Sequence, residues 1–266
     1  MRDIQGDSVS TLYKEIDSSS IAKKPFPHII IEDFFADVQL VEKAGQEISE
    51  ESEINSNIGM TGRRRFMKSA YESDSANPGP NLAQFMDIIR SDEFAINLLN
   101  GFREHILDHL GIEDEDYDLE KMYKGGYYLD YDISIGDNGY SREVHRDTDE
   151  RLLVFLFSFN DSNHDGGEIC FYHTNENSNK VQQYPTNVEK VITEGHKRNK
   201  AVIFLSNSVS YHSVNEISNC FIPRKFIYAA ITKGSPPKPK SKPNPTPKKK
   251  PAKKKQRLKT RRKYAR

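Results

Sequence analysis

His145 and Asp147 stand two residues apart in the run Tyr140-Ser141-Arg142-Glu143-Val144-His145-Arg146-Asp147. In extended backbone that spacing turns both side chains to one face, so an imidazole nitrogen and a carboxylate oxygen can converge on a single metal ion. A third donor is needed, and His212 is the best placed of the remaining histidines, because Tyr211-His212-Ser213-Val214 follows directly on the hydrophobic run AVIFLS and its turn Asn207-Ser208. Two imidazoles and one carboxylate on one face of an ion suit Fe(II) and leave three coordination positions open. Arg224 heads the run RKFIYAAIT, where its planar fork could hold a carboxylate bidentately. An iron that chelates a 2-oxo acid through its keto and near carboxylate oxygens needs such a cation about one molecule's length away.

Other side chains compete for these roles. His105 and His109 lie at i and i+4 of a helical run but lack the glutamate of a zinc-protease pattern, and they read as solvated or half-buried. His164 and His173 flank Gly166-Gly167-Glu168, one as a turn residue and one as a strand exit, while His28 and His196 have no donor at ligand spacing. Arg142, Arg146 and Arg151 crowd the candidate ligands, and Arg142 is the first choice for contact with an anionic substrate. Gly166 and Gly167 read as a tight hairpin turn. Cys170, inside an apolar strand, reads as core rather than as a nucleophile.

The elements that must position these residues fall into two groups. Pro25 to Ile31 reads as an entry strand, followed by helices near 37–51 and 81–90 and a third from Ser91 as cap to Gly111 as stop, with Phe94, Leu98, Phe102 and Ile106 on one face. Residues 52–80 are polar and broken by Gly and Pro, which predicts a long excursion carrying Arg63-Arg64-Arg65, a lid candidate by position. From Tyr127 the period changes to two. Strands are expected over 127–135, 151–159, 167–172, 201–205 and 225–232, each bounded by turn residues. Helices first and short strands after argue for an α+β chain with an antiparallel barrel or double-sheet core.

Charge divides the chain as well. Formal net charge is zero, but Ser235 to Arg266 holds 15 of the 39 bases, none of the acids and seven of the 13 prolines, so residues 1–234 stand at −15. We read 1–24 as a polar lead, 25–234 as a single domain with its motif-bearing core at about 125–232, and 235–266 as a disordered basic tail. Such a tail attracts nucleic acid or another polyanion with strong salt dependence, or lies on its own acidic body. Two cysteines exclude a disulfide scaffold, and the lack of a long apolar run excludes a spanning helix or an ordinary secretory leader. The expected compartment is intracellular and cytoplasmic, or nuclear if the host cell has a nucleus.

The ordered set of His145-Arg146-Asp147, the strand RLLVFLFSFN, the segment DGGEICFY at 165–172, AVIFLSNSVSYHSV and Arg224 resembles the Fe(II)- and 2-oxoglutarate-dependent dioxygenase superfamily, in particular its prolyl-4-hydroxylase-like branch. The resemblance covers roughly 125–232, and PFPHIIIEDFF resembles that branch's entry strand. It implies a double-stranded β-helix, or jelly roll, with Fe(2+) held by His145, Asp147 and His212 and the cosubstrate 2-oxoglutarate held by Arg224. It further implies consumption of O2 and oxoglutarate to succinate and CO2 coupled to hydroxylation, with L-ascorbate keeping the iron reduced. Related halogenating enzymes lack the carboxylate ligand, so Asp147 argues against halogenation. A tyrosine on the preceding strand touches oxoglutarate in some relatives, and Tyr127, Tyr128 and Tyr131 leave that role unassigned. A peptidyl residue such as proline is the substrate implied by the branch; free amino acids, other protein side chains and modified nucleobases stay open. The alternative is a non-catalytic jelly roll that engages nucleic acid or an assembly through its polycationic tail.

Overall fold

The computed structural model describes residues 12–48, 62–68, 78–161, 163–174, 183, 185 and 187–236. Its first half carries β1 (His28–Ile31), α1 (Val38–Glu47), β2 (Arg63–Lys68), α2 (Pro80–Ile89), α3 (Asp92–Gly101), α4 (Arg103–Leu110) and α5 (Leu119–Gly126). Strands then dominate: β3 (Tyr127–Gly136), β4 (Arg142–His145), β5 (Arg151–Ser158), β6 (Asn163–Asp165), β7 (Ile169–Thr174), β8 (Val188–Glu194), β9 (Ala201–Leu205), β10 (His212–Val214), β11 (Ser218–Ile222) and β12 (Arg224–Lys233).

The helices start and stop where local chemistry dictates. Pro80 begins α2, the Ser91 hydroxyl accepts from the Phe94 amide at the head of α3, and left-handed Gly111 ends α4. The single helix expected over 91–111 is two, because the backbone leaves helical geometry at Phe102.

The strands form an antiparallel six-stranded sheet in the order β1-β9-β5-β12-β3-β2, a four-stranded sheet β4-β10-β7-β8 and the pair β11-β6. This is a jelly-roll core in an α+β chain. Period two sorts its central strands. Leu153, Phe155 and Phe157 of β5, Ala201, Ile203 and Leu205 of β9, and Ile227, Ala229 and Ile231 of β12 pack with the helices. The intervening Val154, Val202, Phe204 and Ala230 face Ile169 and Phe171 of the smaller sheet. With both faces covered, these strands read as continuous apolar runs rather than as alternation. On the helix side an aromatic cluster replaces the absent Trp: Phe85 lies 4.8 Å from Phe35 and 4.9 Å from Phe159, centroid to centroid.

The polar stretch 52–80 departs from expectation. Within it, Arg63–Lys68 is an edge strand of the larger sheet, paired with β3 from Arg63↔Gly136 to Lys68↔Asp132. Arg63 and Arg65 both pair with Asp132 on β3, an ionic anchor that a search for apolar alternation misses. Residues 52–61 and 69–77 of that stretch, residues 1–11 of the polar lead and tail residues 237–266 lie outside the described residues. No helix among the described residues is long and apolar enough to cross a membrane.

Candidate active site

The smaller sheet brings the two distant histidines together. His145 ends β4, His212 begins β10, and they are direct partners in the antiparallel register. Their ring centroids are 4.4 Å apart. Each Nε2 lies 3.9 Å from a different oxygen of Asp147, and the three residues, all buried, offer donor atoms within 4.8 Å of one another. His145 Nδ1 donates to the Glu143 carbonyl at 2.8 Å and His212 Nδ1 to the Ser210 carbonyl at 3.0 Å. Since a carbonyl can only accept, both protons sit on Nδ1 and both Nε2 lone pairs point inward, as metal ligation requires.

The electrostatics agree with that arrangement. Burial, then the neighbouring His212 and Arg142, push His145 down to about 3. Burial likewise lowers His212 against the pull of Asp147. For Asp147 burial acts upward, but His212, Arg151 and the Tyr228 hydroxyl outweigh it and hold the carboxyl below its usual range. Two neutral imidazoles and an ionised carboxylate therefore face one point, a donor set that fits a divalent iron. Arg151 donates to Asp147 Oδ1 at 2.9 Å and Tyr228 to Oδ2 at 2.8 Å, and Arg151 also contacts Tyr228, which fixes the carboxylate from behind.

Arg224 lines the same cavity, of about 190 Å³, and is buried. A buried water occupies roughly 30 Å³, so the space admits a small acid. One guanidinium nitrogen donates to the Gly167 carbonyl at 2.5 Å, Nε is buried with no hydrogen-bond partner among the described residues, and the group lies 4.7 Å over the Phe226 ring. Gly166 and Gly167 sit at φ +77° and +76°, and a Cβ on Gly166 would stand 1.8 Å from the Glu216 carbonyl oxygen. Only glycine fits there. The pair is not a hairpin, for it carries the chain from β6, paired with β11, to β7, paired with β10.

Arg142 also lines the cavity, with Nε 3.4 Å from His145 Nε2. Of the tyrosines weighed for cosubstrate contact, Tyr131 reaches the cavity wall, where its hydroxyl accepts from Arg90 at 2.6 Å. The other histidines stay apart. His28 donates to the Phe26 carbonyl and packs on Phe171; His196 meets Ser158 and Asn160; His164 lies within β6 rather than in a turn; His105 is half-buried, and His109 and His173 are exposed. Cys170 is buried against Tyr172 and Tyr211.

Sequence reasoning missed Tyr228, and a signal for it existed. Arg224, Phe226 and Tyr228 alternate along β12, so placing Arg224 in the cavity places the other two there as well. Arg63, Arg65 and Asp132 also line the cavity, and their approach depends on a β2–β3 pairing for which the sequence carries no local sign.

Residues 128–231, a span that holds His145, Asp147, His212 and Arg224, match the family model described as the 2OG-Fe(II) oxygenase superfamily. The chain thus resembles the Fe(II)- and 2-oxoglutarate-dependent oxygenases over its strand-rich half. No curated protein matches it. Similar solved structures include a Pseudomonas putida prolyl-4-hydroxylase, at TM-score 0.49 and 13% identity over 78% of this chain and 93% of that one. An oxidoreductase of the 2OG-Fe(II) oxygenase family from Burkholderia pseudomallei aligns at TM-score 0.48 and 11% identity over 79% and 88%. A Trichoplax adhaerens prolyl hydroxylase, solved with a hypoxia inducible factor oxygen degradation domain peptide fragment, aligns at 0.42 and 13% over 77% and 83%.

Proposed function

We propose that this chain is an Fe(II)- and 2-oxoglutarate-dependent hydroxylase acting inside the cell on a peptidyl residue such as proline, with ascorbate supporting the iron. The observation that carries the reading is the convergence of His145, Asp147 and His212, two Nε2 lone pairs and a carboxylate, at one buried point. In this assignment those three hold the iron and Arg224 holds the far carboxylate of the cosubstrate. When bound, the group would couple reduction of O2 and decarboxylation of 2-oxoglutarate to succinate and CO2 with insertion of oxygen into a substrate C–H bond.

The chain's own part is to bind and orient. Arg151 and Tyr228 occupy one lone pair on each Asp147 oxygen, so the carboxylate keeps one orientation whether or not substrate is present. Gly167 holds Arg224 by one nitrogen and leaves the orphan Nε for an anion. Leu156, Ile169, Val214 and Phe226 supply an apolar wall that excludes water and strengthens that charge pairing.

The test is succinate release from 2-oxoglutarate with Fe(II), ascorbate and O2, compared with Asp147→Ala. The wild type should release succinate slowly without substrate, and the variant should fall by about a hundredfold or more, with Fe(II) binding lost in calorimetry. Turnover equal in both, or no Fe(II) binding by the wild type, defeats the reading.

A further inference from the structure

The cavity carries more positive charge than the proposed cosubstrate needs. Among the described residues five arginines line it against three aspartates. Arg63 and Arg65 converge on Asp132, Arg151 is committed to Asp147 and Tyr228, and Arg224 is set apart for the oxoglutarate carboxylate. Arg142 differs from all of these. It is half-buried, and among the described residues no carboxylate pairs with it; its hydrogen bond runs to His145 Nε2. That lone pair is the one an ion would take, so the bond and metal loading exclude each other.

The backbone shows that Arg142 is aimed. His145 and Arg142 are three residues apart, an odd spacing that in a regular strand sends their side chains to opposite faces. The partner strand counts two over the same interval, since His212 pairs with His145 and Val214 with Arg142. One extra residue in β4 is a bulge, and it turns Arg142 to the cavity beside His145. Val214, across the register, and Ile169 line the same space. A guanidinium at an apolar wall, with no counter-ion among the described residues, is a site for a planar two-oxygen anion.

We propose that Arg142 binds a carboxylate of the substrate, so that the enzyme selects a carboxylate-bearing molecule whose reacting carbon lies against the Val214 and Ile169 wall. This rests on the oxygenase reading above and adds the charge of the substrate to it. The carboxylate has two sources, the α-carboxylate of a free amino acid or an Asp or Glu side chain beside the reacting residue of a peptide.

The experiment measures succinate release above the substrate-free background with four additive sets: free L-amino acids, their C-terminal amides, proline-containing peptides bearing Asp or Glu, and the same peptides bearing Asn or Gln. At least one acid-bearing set should stimulate, with its neutral counterpart weaker by about tenfold or more in kcat/KM. Stimulation by the first set identifies a free acid and by the third an acidic peptide. Arg142→Met should erase the preference through KM and leave the response to neutral compounds in place, and Arg142→Lys should recover part of it. A purely structural Arg142 would lower all four responses together. Equal response to acid and neutral sets, a preference that survives Arg142→Met, or no response to either acid-bearing set overturns the proposal. Absence of succinate in every arm, the substrate-free one included, fails the oxygenase reading and this proposal with it.

Discussion

Tyr228 shows how much of the site rests on a single hydroxyl. Its proton reaches Asp147 Oδ2 at 2.8 Å, and burial and the adjacent carboxylate raise its own ionisation well above the ordinary phenol value, so it remains a donor at any working pH. Tyr228→Phe keeps the ring and removes that donor, leaving Asp147 held by Arg151 alone. Fe(II) affinity should fall about tenfold to a hundredfold in calorimetry, with a loss of about 1–3 kcal/mol of stability from the buried carboxylate oxygen left short of a donor. An unchanged affinity would mean that Arg151 alone orients the carboxylate.

At the scale of elements, the glycine turn between β6 and β7 sets where Arg224 can reach. Gly166→Ala forces a Cβ into the Glu216 carbonyl at 1.8 Å from a left-handed backbone, so the turn must move and take the Gly167 carbonyl with it. The variant should lose about 1–3 kcal/mol of stability or more, read by denaturant melts, and bind 2-oxoglutarate more weakly in the presence of Fe(II). Full stability and affinity would show that the turn is not what seats Arg224. The same scale explains what the sequence revealed. The convergence of His145, Asp147 and His212 was legible because the spacing of His145 and Asp147 and the strand ahead of His212 are local signals, and β5, β9 and β12 because strands buried on both faces are unmistakably apolar. By contrast α5, which ends in Gly125-Gly126, and β8, which is largely exposed and shows no clean alternation, are not among the expected elements. The bulge that aims Arg142 exists only in the pairing of two strands some seventy residues apart, and no reading of either strand alone contains it.

For the whole molecule, the buried imidazoles link folding to pH. His28, His145, His196 and His212 are all pushed below their ordinary value of 6.5, with burial the largest cause in each. As pH falls through 6.5 the unfolded chain takes up protons that the folded chain refuses, so stability is full above that value and declines below it. The metal-free protein should melt at progressively lower temperature from pH 6.5 down to about pH 5, an interval in which ordinary carboxylates stay ionised. A flat melting temperature across it would mean that these rings do take up protons in the folded state.

Asp147 has a position that its proposed role as a ligand does not exhaust. Its two histidine neighbours belong to the smaller sheet, at β4 and β10, whereas the groups that grip its oxygens, Arg151 and Tyr228, belong to β5 and β12 of the larger one. Between the layers the carboxylate therefore works as a rivet, and an ion seated on it would tighten the joint from the other side. Binding of the proposed iron would then also clamp the sandwich, so removing it should loosen both sheets together rather than only the mouth of the cavity.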